Sequence, residues 1–140
     1  MSLYKNDRLA FVKQAVESIL GQTYKDFDYY IKFDGTIDAS VENYLRGLKD
    51  ERIKISARLE NKGLAYSLNE LLQIVMPKGY EYIARMDADD ISMPDCFEKQ
   101  LAYLQSHPEV ECLGTWAIEI NSKGEEYYRK QMPETHQECN

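Results

Sequence analysis

Three runs rich in aromatic and β-branched residues each stop at a short polar turn, and a segment of helical period follows each turn. The runs are Phe27–Phe33, Arg52–Arg58 and Tyr80–Met86, and this composition predicts strands. They end on Asp34-Gly35, on Asn61-Lys62-Gly63 and on Asp87-Ala88-Asp89-Asp90. The helical segments have their own punctuation. Asn6 or Asp7 can cap a first helix that carries Leu9, Val12, Val16, Ile19 and Leu20 on one stripe and stops at Gly21. Asp38 can cap a second through Leu48, Leu64–Met76 forms a third that Pro77 ends, and Pro94 opens a fourth to about Ser106. Val110–Ile120 reads as a further strand, and Glu125–Lys130 as a polar, strand-like tail after the Asn121–Gly124 turn.

Strands that alternate with helices predict an α/β fold, with a mostly parallel sheet, helices on both faces and right-handed crossovers. Nothing resembling a linker or repeat divides the chain, so residues 1–140 read as one domain. Both ends look cut short. A fold of this kind usually opens with a buried central strand, yet only Met1–Tyr4 precede the first helix, so the start reads as truncated or as a leader. Pro133–Cys139 reads as a stop between elements.

The net charge of −7, without a Lys/Arg-rich run, argues against nucleic acid as a partner. No apolar stretch is long enough to span a membrane. Cys96, Cys112 and Cys139 lack zinc-type spacing and leave an odd thiol, which suits reduced cysteines in a cytoplasmic protein. Trp116 reads as core, Cys96 and Cys112 as small packing residues, and His107 and His136 as surface residues.

Asp87 and Asp89 are two apart, so a strand ending there presents both carboxylates on one side. Two hard oxygens at a strand's C-terminal end suit a divalent cation and a phosphate ligand, and a cation would let an acidic chain hold an anionic diphosphate. Asp-rich turns and caps give the same spacing without a ligand. A calcium loop over Asp87–Glu98 is excluded, because Ile91 and Ser92 occupy positions that need an oxygen ligand and glycine.

The order of motifs resembles glycosyltransferase family 2, the inverting enzymes of GT-A fold. Ala15–Phe27 (AVESILGQTYKDF) is similar to the family's helix-to-strand passage. Phe33–Asp38 (FDGTID) resembles its DDGSTD motif, Asn61-Lys62-Gly63 through Asn69 its NxG…N segment, and Asp87–Ile91 with Met93-Pro94 its metal motif and following proline. The resemblance implies a nucleotide-diphospho-sugar donor held by Ser2, Tyr4, Asp34, Gly35, Asn61, Gly63 and Asp87. Ser2 belongs to that set only if Met1–Leu3 is not a leader. The resemblance assigns Mg²⁺ or Mn²⁺ to Asp89, helped by Asp87, and leaves Asp90 a cap or supporting group.

Departures are visible. Phe33 replaces the motif's first Asp, Leu68 stands where many members have Arg, and most of the first strand is missing. The family's catalytic base falls beyond Asn140. The implied reaction is inverting transfer of a sugar to a glycan or lipid-linked acceptor, for a bacterial cell-surface polysaccharide, in the cytoplasm or peripheral to the inner membrane. This chain alone would be inactive. Homodimerisation would cover the edges of an incomplete sheet. Two alternatives stand beside this reading: a non-catalytic donor-binding module, and an Asp-x-Asp phosphotransferase, whose motif would follow the first strand of its domain. Donor base, sugar, acceptor and oligomeric state are not legible.

Overall fold

The sheet begins with two residues. In the computed structural model, which describes residues 1–121 and 123–132, Ser2–Leu3 (β1) pair in parallel with Lys32–Phe33. Leu3 is fully buried and joins the apolar core. Tyr29–Asp34 (β2) pairs in parallel with Ile53–Arg58 (β3) along its whole length, which gives the order β1-β2-β3. Leu9–Leu20 (α1) joins the first pair and Ala39–Gly47 (α2) the second. Leu64–Val75 (α3) follows β3 and runs into a 3₁₀ turn at Met76–Lys78.

Alternation along β2 divides the two faces. Tyr29, Ile31 and Phe33 join Leu3, Val12, Val16, Ile19, Val41 and Leu45 in the apolar core beneath α1 and α2. Lys32 and Asp34 turn to the opposite face, and their side chains meet residues of α3. Helices therefore lie on both faces, but only one face is apolar. Phe33, in place of an acidic residue, is core.

The chain forms two compact units, Met1–Lys99 and Gln100–Asn140. Cys96–Ser106 (α4) has its first residues in the first unit and the remainder in the second. In the second unit Ala117–Ile120 (β4) pairs antiparallel with Glu126–Lys130 (β5). No helix among the described residues is long and apolar enough to cross a membrane.

Four expectations need correction. Tyr80–Met86 is not a strand. A strand exists through its ladder, and β1 offers a template of only two residues. The segment is instead fixed by side chains: the Tyr80 hydroxyl bonds Asp28 and Tyr30, while Met86 and Ala88 pack on the core. The strand expected over Val110–Ile120 is confined to Ala117–Ile120, because β5 gives a partner only there. Neither Asn6 nor Asp7 caps α1: Arg8 holds that position without a side-chain bond, and the Asp7 carboxylate accepts from the Tyr4 amide at 2.8 Å. Trp116 is 58% exposed and Cys112 is exposed, so neither is core. Asp38 does cap α2, accepting from the Ser40 amide. Cys139 and His136 lie outside the described residues.

Leu3→Ala should lower stability by about 2–5 kcal/mol, the range for emptying a leucine site in a core. Urea unfolding followed by circular dichroism measures it. An unchanged midpoint would show that β1 is not docked.

Candidate functional site

In-register parallel pairing sets the C-terminal ends of three strands side by side. Leu3 aligns with Phe33 and Phe33 with Ala57, so Tyr4, Asp34 and Arg58 follow at adjacent strand ends, about 4.8 Å apart per strand. Turns leave this edge, and the residues singled out in the sequence fall into two groups along it.

The first group centres on Asp34, the last residue of β2 and only 2% exposed. Its carboxylate accepts from the Lys62 amide at 2.8 Å and from the Arg58 guanidinium. The Asn61 side chain donates to the Asp34 carbonyl at 3.1 Å. The turns after β2 and β3 are thus tied to each other. Gly35 sits where they touch, with φ +82°, and a Cβ there would lie 2.9 Å from the Asn61 nitrogen. Gly63 also has positive φ, +88°, and is the N-cap of α3 with open space around its Cα.

Beneath this group a closed set of charges fills the polar face. Arg58 also binds Glu70 and, at 2.7 Å, the Ser67 hydroxyl, both on α3, and Lys32 binds Glu70 at 3.0 Å. Two cations offset two anions, and no charge is left alone in a buried place. Burial of the Asp34 carboxyl opposes its ionisation, but the Lys62 amide, Arg58 and Ser67 outweigh burial and hold its pKa below the ordinary value.

The second group lines a cleft of about 190 Å³, formed by Tyr4, Asn6, Asp7, Arg8, Phe11, Ala88 and Asp89. Ala88 is buried, so Asp87 and Asp89 on either side of it turn outward. Period-two alternation survives here without a ladder. The two carboxylates differ in their partners. Arg85 grips Asp87 through both its oxygens, at 2.9 and 2.6 Å, whereas no described residue engages Asp89. Burial raises the Asp7 pKa, which the Tyr4 amide opposes and the Asp89 charge reinforces. Burial also raises the Asp90 pKa, reinforced by Asp89 and Asp87 and opposed by Arg85.

Among the described residues no three His, Cys, Asp or Glu side chains converge into a cation cage. A hard cation that also binds phosphate needs only one or two protein carboxylates. The unpartnered Asp89 fits that requirement, with Asp87 committed to Arg85.

Comparison with known proteins settles the lineage. The model of glycosyl transferase family 2 matches residues 3–138. The chain belongs to that family. The amylovoran biosynthesis glycosyltransferase AmsE of Erwinia amylovora is 32% identical over 131 residues, covering 93% of this chain and 48% of its own length. For the O-antigen biosynthesis glycosyltransferase WbnJ of Escherichia coli the figures are 35% over 127 residues, 89% and 47%. The putative glycosyltransferase EpsE of Bacillus subtilis is 34% identical over 127 residues, 89% of this chain and 44% of its own. The chain spans less than half the length of these relatives.

Within the family frame, Asp34, Gly35, Asn61 and Gly63 come together in the first group, and Tyr4 and Asp89 in the second. Ser2 lies in the β1 ladder opposite Lys32, and Asp87 stands beside Arg85. The sequence reading assigns no site role to Arg58, Lys62, Ser67 or Glu70 under the first group, or to Asp7, read there as a cap, in the cleft wall. Arg58 had a signal: it ends β3, and in a parallel register the last residue of one strand lies beside the last of its neighbour.

Two variants test the first group. Gly35→Ala should cost about 1–3 kcal/mol, the range for non-glycine backbone held at positive φ. Gly79→Ala, also at positive φ but with open space around it, should cost less in the same urea series. Asp34→Asn should destabilise at neutral pH. Because folding lowers the Asp34 pKa, its contribution is complete above the unfolded value near 3.8 and is lost as pH falls through the lower native value. The stability difference between wild type and Asp34→Asn should therefore hold from pH 7 to about 5 and shrink below 3.8. A difference independent of pH would contradict the role given to the ionised carboxylate.

Proposed function

We propose that this chain is the donor-binding part of a metal-dependent, inverting glycosyltransferase. It would accept a nucleotide-diphospho-sugar and serve transfer to a glycan or lipid-linked acceptor in building a cell-surface polysaccharide. The names of AmsE and WbnJ, for amylovoran and O-antigen biosynthesis, support that direction. The observation that carries the reading is Asp89, whose carboxylate no described residue engages and which lines a cleft with Tyr4 at the C-terminal edge of the sheet, where α/β folds hold nucleotides. At about 190 Å³ the cleft suits one part of a nucleotide rather than a whole donor.

Bound Mg²⁺ or Mn²⁺ would neutralise the diphosphate leaving group. Asp89 would hold the ion, and Asp87, fixed in orientation by Arg85, would stand near the ribose or phosphates. Tyr4 supplies an aromatic wall. Asp34 reaches the donor through the turns it holds, since its carboxylate is occupied by Arg58 and the Lys62 amide. Inversion requires a carboxylate that takes the acceptor hydroxyl's proton, with attack from the face opposite the leaving group. We assign that base to sequence beyond Asn140, so this chain alone should bind donor and transfer little sugar.

Calorimetric titration with UDP, with and without Mn²⁺, checks the assignment. Wild type should bind more tightly with Mn²⁺, and Asp89→Ala should lose that gain. Asp87→Asn should lose less. Equal binding by wild type and Asp89→Ala in Mn²⁺ would remove Asp89 from the site.

A further inference from the structure

The segment that carries Asp87–Asp90 lies outside every helix and strand, from residue 79 to residue 95. Its carboxylates therefore cannot be placed by a ladder, and something else must hold them. On the upstream side the anchor is apolar: Met86 packs on the core and Ala88 is buried. Downstream it is polar, and it belongs to the end of α1.

Gln22, just past α1, is fully buried. Its Nε2 donates to the Met93 carbonyl at 2.7 Å, the Ser18 carbonyl at 3.0 Å and the Ser92 hydroxyl at 3.2 Å. Its Oε1 accepts from the Phe97 amide at 3.0 Å. Ser18, one turn earlier, accepts from the Ser92 amide at 3.0 Å while donating to the Ala15 carbonyl at 2.8 Å. The Thr23 amide donates to the Pro94 carbonyl at 2.8 Å, and Phe27 packs edge-on against Phe97, centroids 5.4 Å apart. The polar groups of Gln22 are matched at both ends, so its burial carries no unpaired group. Every long-range bond of its amide goes to residues 92–97.

We propose that Gln22, with Ser18, is a positioning residue for the cation-binding carboxylate. The two residues latch Ser92–Phe97 to the C-terminal end of α1 and leave only Asp89, Asp90 and Ile91 between the buried Ala88 and the tethered Ser92. A span of three residues between fixed points has little freedom, and its chain direction sets where Asp89 points. The inference rests on the reading that Asp89 holds the ion. It adds that the ion's affinity is controlled from the C-terminal end of α1, through Ser18 and Gln22, which do not line the cleft. Groups that orient a metal ligand commonly change metal affinity 10–100-fold when removed.

The experiment uses the full chain and two variants. Gln22→Met keeps the length of the side chain and removes all four bonds. Ser18→Ala is milder and deletes one acceptor on an otherwise intact helix. Amide hydrogen exchange is measured for residues 89–97 and for β2, and UDP affinity is measured with and without Mn²⁺. Protection of residues 92–97 should fall about tenfold or more in Gln22→Met, and less in Ser18→Ala, with β2 protection retained. The Mn²⁺-dependent gain in UDP affinity should fall about tenfold in Gln22→Met, while metal-free UDP affinity stays constant. Unchanged protection of 92–97 in both variants would overturn the latch. So would an equal loss in β2, which would make Gln22 a general stability residue. Lost protection with an unchanged Mn²⁺-dependent gain would overturn the positioning role. If wild type shows no Mn²⁺-dependent gain, the donor-site reading and the positioning role fall together, and the exchange data still decide the latch.

Discussion

The carboxylate of Asp34 is the joint on which the edge of the sheet depends. It ends β2, it is buried, and it is gripped by the last side chain of β3 and by the first turn's amide before α3. One side chain thus fixes two strand ends, two turns and the entry to a helix. The arrangement is stable because the charges close on themselves: Arg58 and Lys32 face Asp34 and Glu70, and Ser67 completes the set. Removing Glu70 would leave the buried Lys32 without its partner, which costs more than the pair gains by forming.

This joint explains an unusual division of the sheet. Parallel strands are commonly apolar on both faces. Here the face under α1 and α2 is apolar, while the face under α3 carries the charges. The apolar side secures stability. The polar side secures geometry, since ion pairs and amide bonds fix direction where packing alone fixes distance. The acidic segment is held by the same logic from the other flank, with an apolar anchor at Ala88 and a polar one at Gln22. Both groups of candidate residues along this edge are therefore positioned by buried polar side chains.

Much of the first unit was legible in the sequence because its elements follow local rules. The stripe of Val12, Val16 and Ile19, the Asp38 cap and the aromatic run before Asp34 each state their structure in a few residues. The motifs from Ala15 to Pro94 likewise carry the resemblance to the family. What stayed hidden depends on partners distant in the chain. Tyr80–Met86 has strand composition but no ladder to join, and composition does not report the length of a neighbour's edge. Asp7 reads as a cap by position, yet its carboxylate turns back to Tyr4. Gln22 lay inside a quoted motif, and its task appears only when residues more than seventy positions away are brought beside it. The second unit was least legible, as Trp116 shows: a tryptophan reads as core unless the surface that would cover it is known.

The central claim is that Asp89, in the cleft beside Tyr4, holds the cation that a nucleotide diphosphate needs. A crystal structure of the chain grown with UDP and Mn²⁺, with anomalous scattering recorded for manganese, tests it directly. The account predicts a manganese peak within bonding distance of an Asp89 oxygen and of the UDP phosphates, with Asp34 still bound to Arg58 and the Lys62 amide. Manganese placed away from Asp89, or UDP bound away from the C-terminal edge of the sheet, would contradict it.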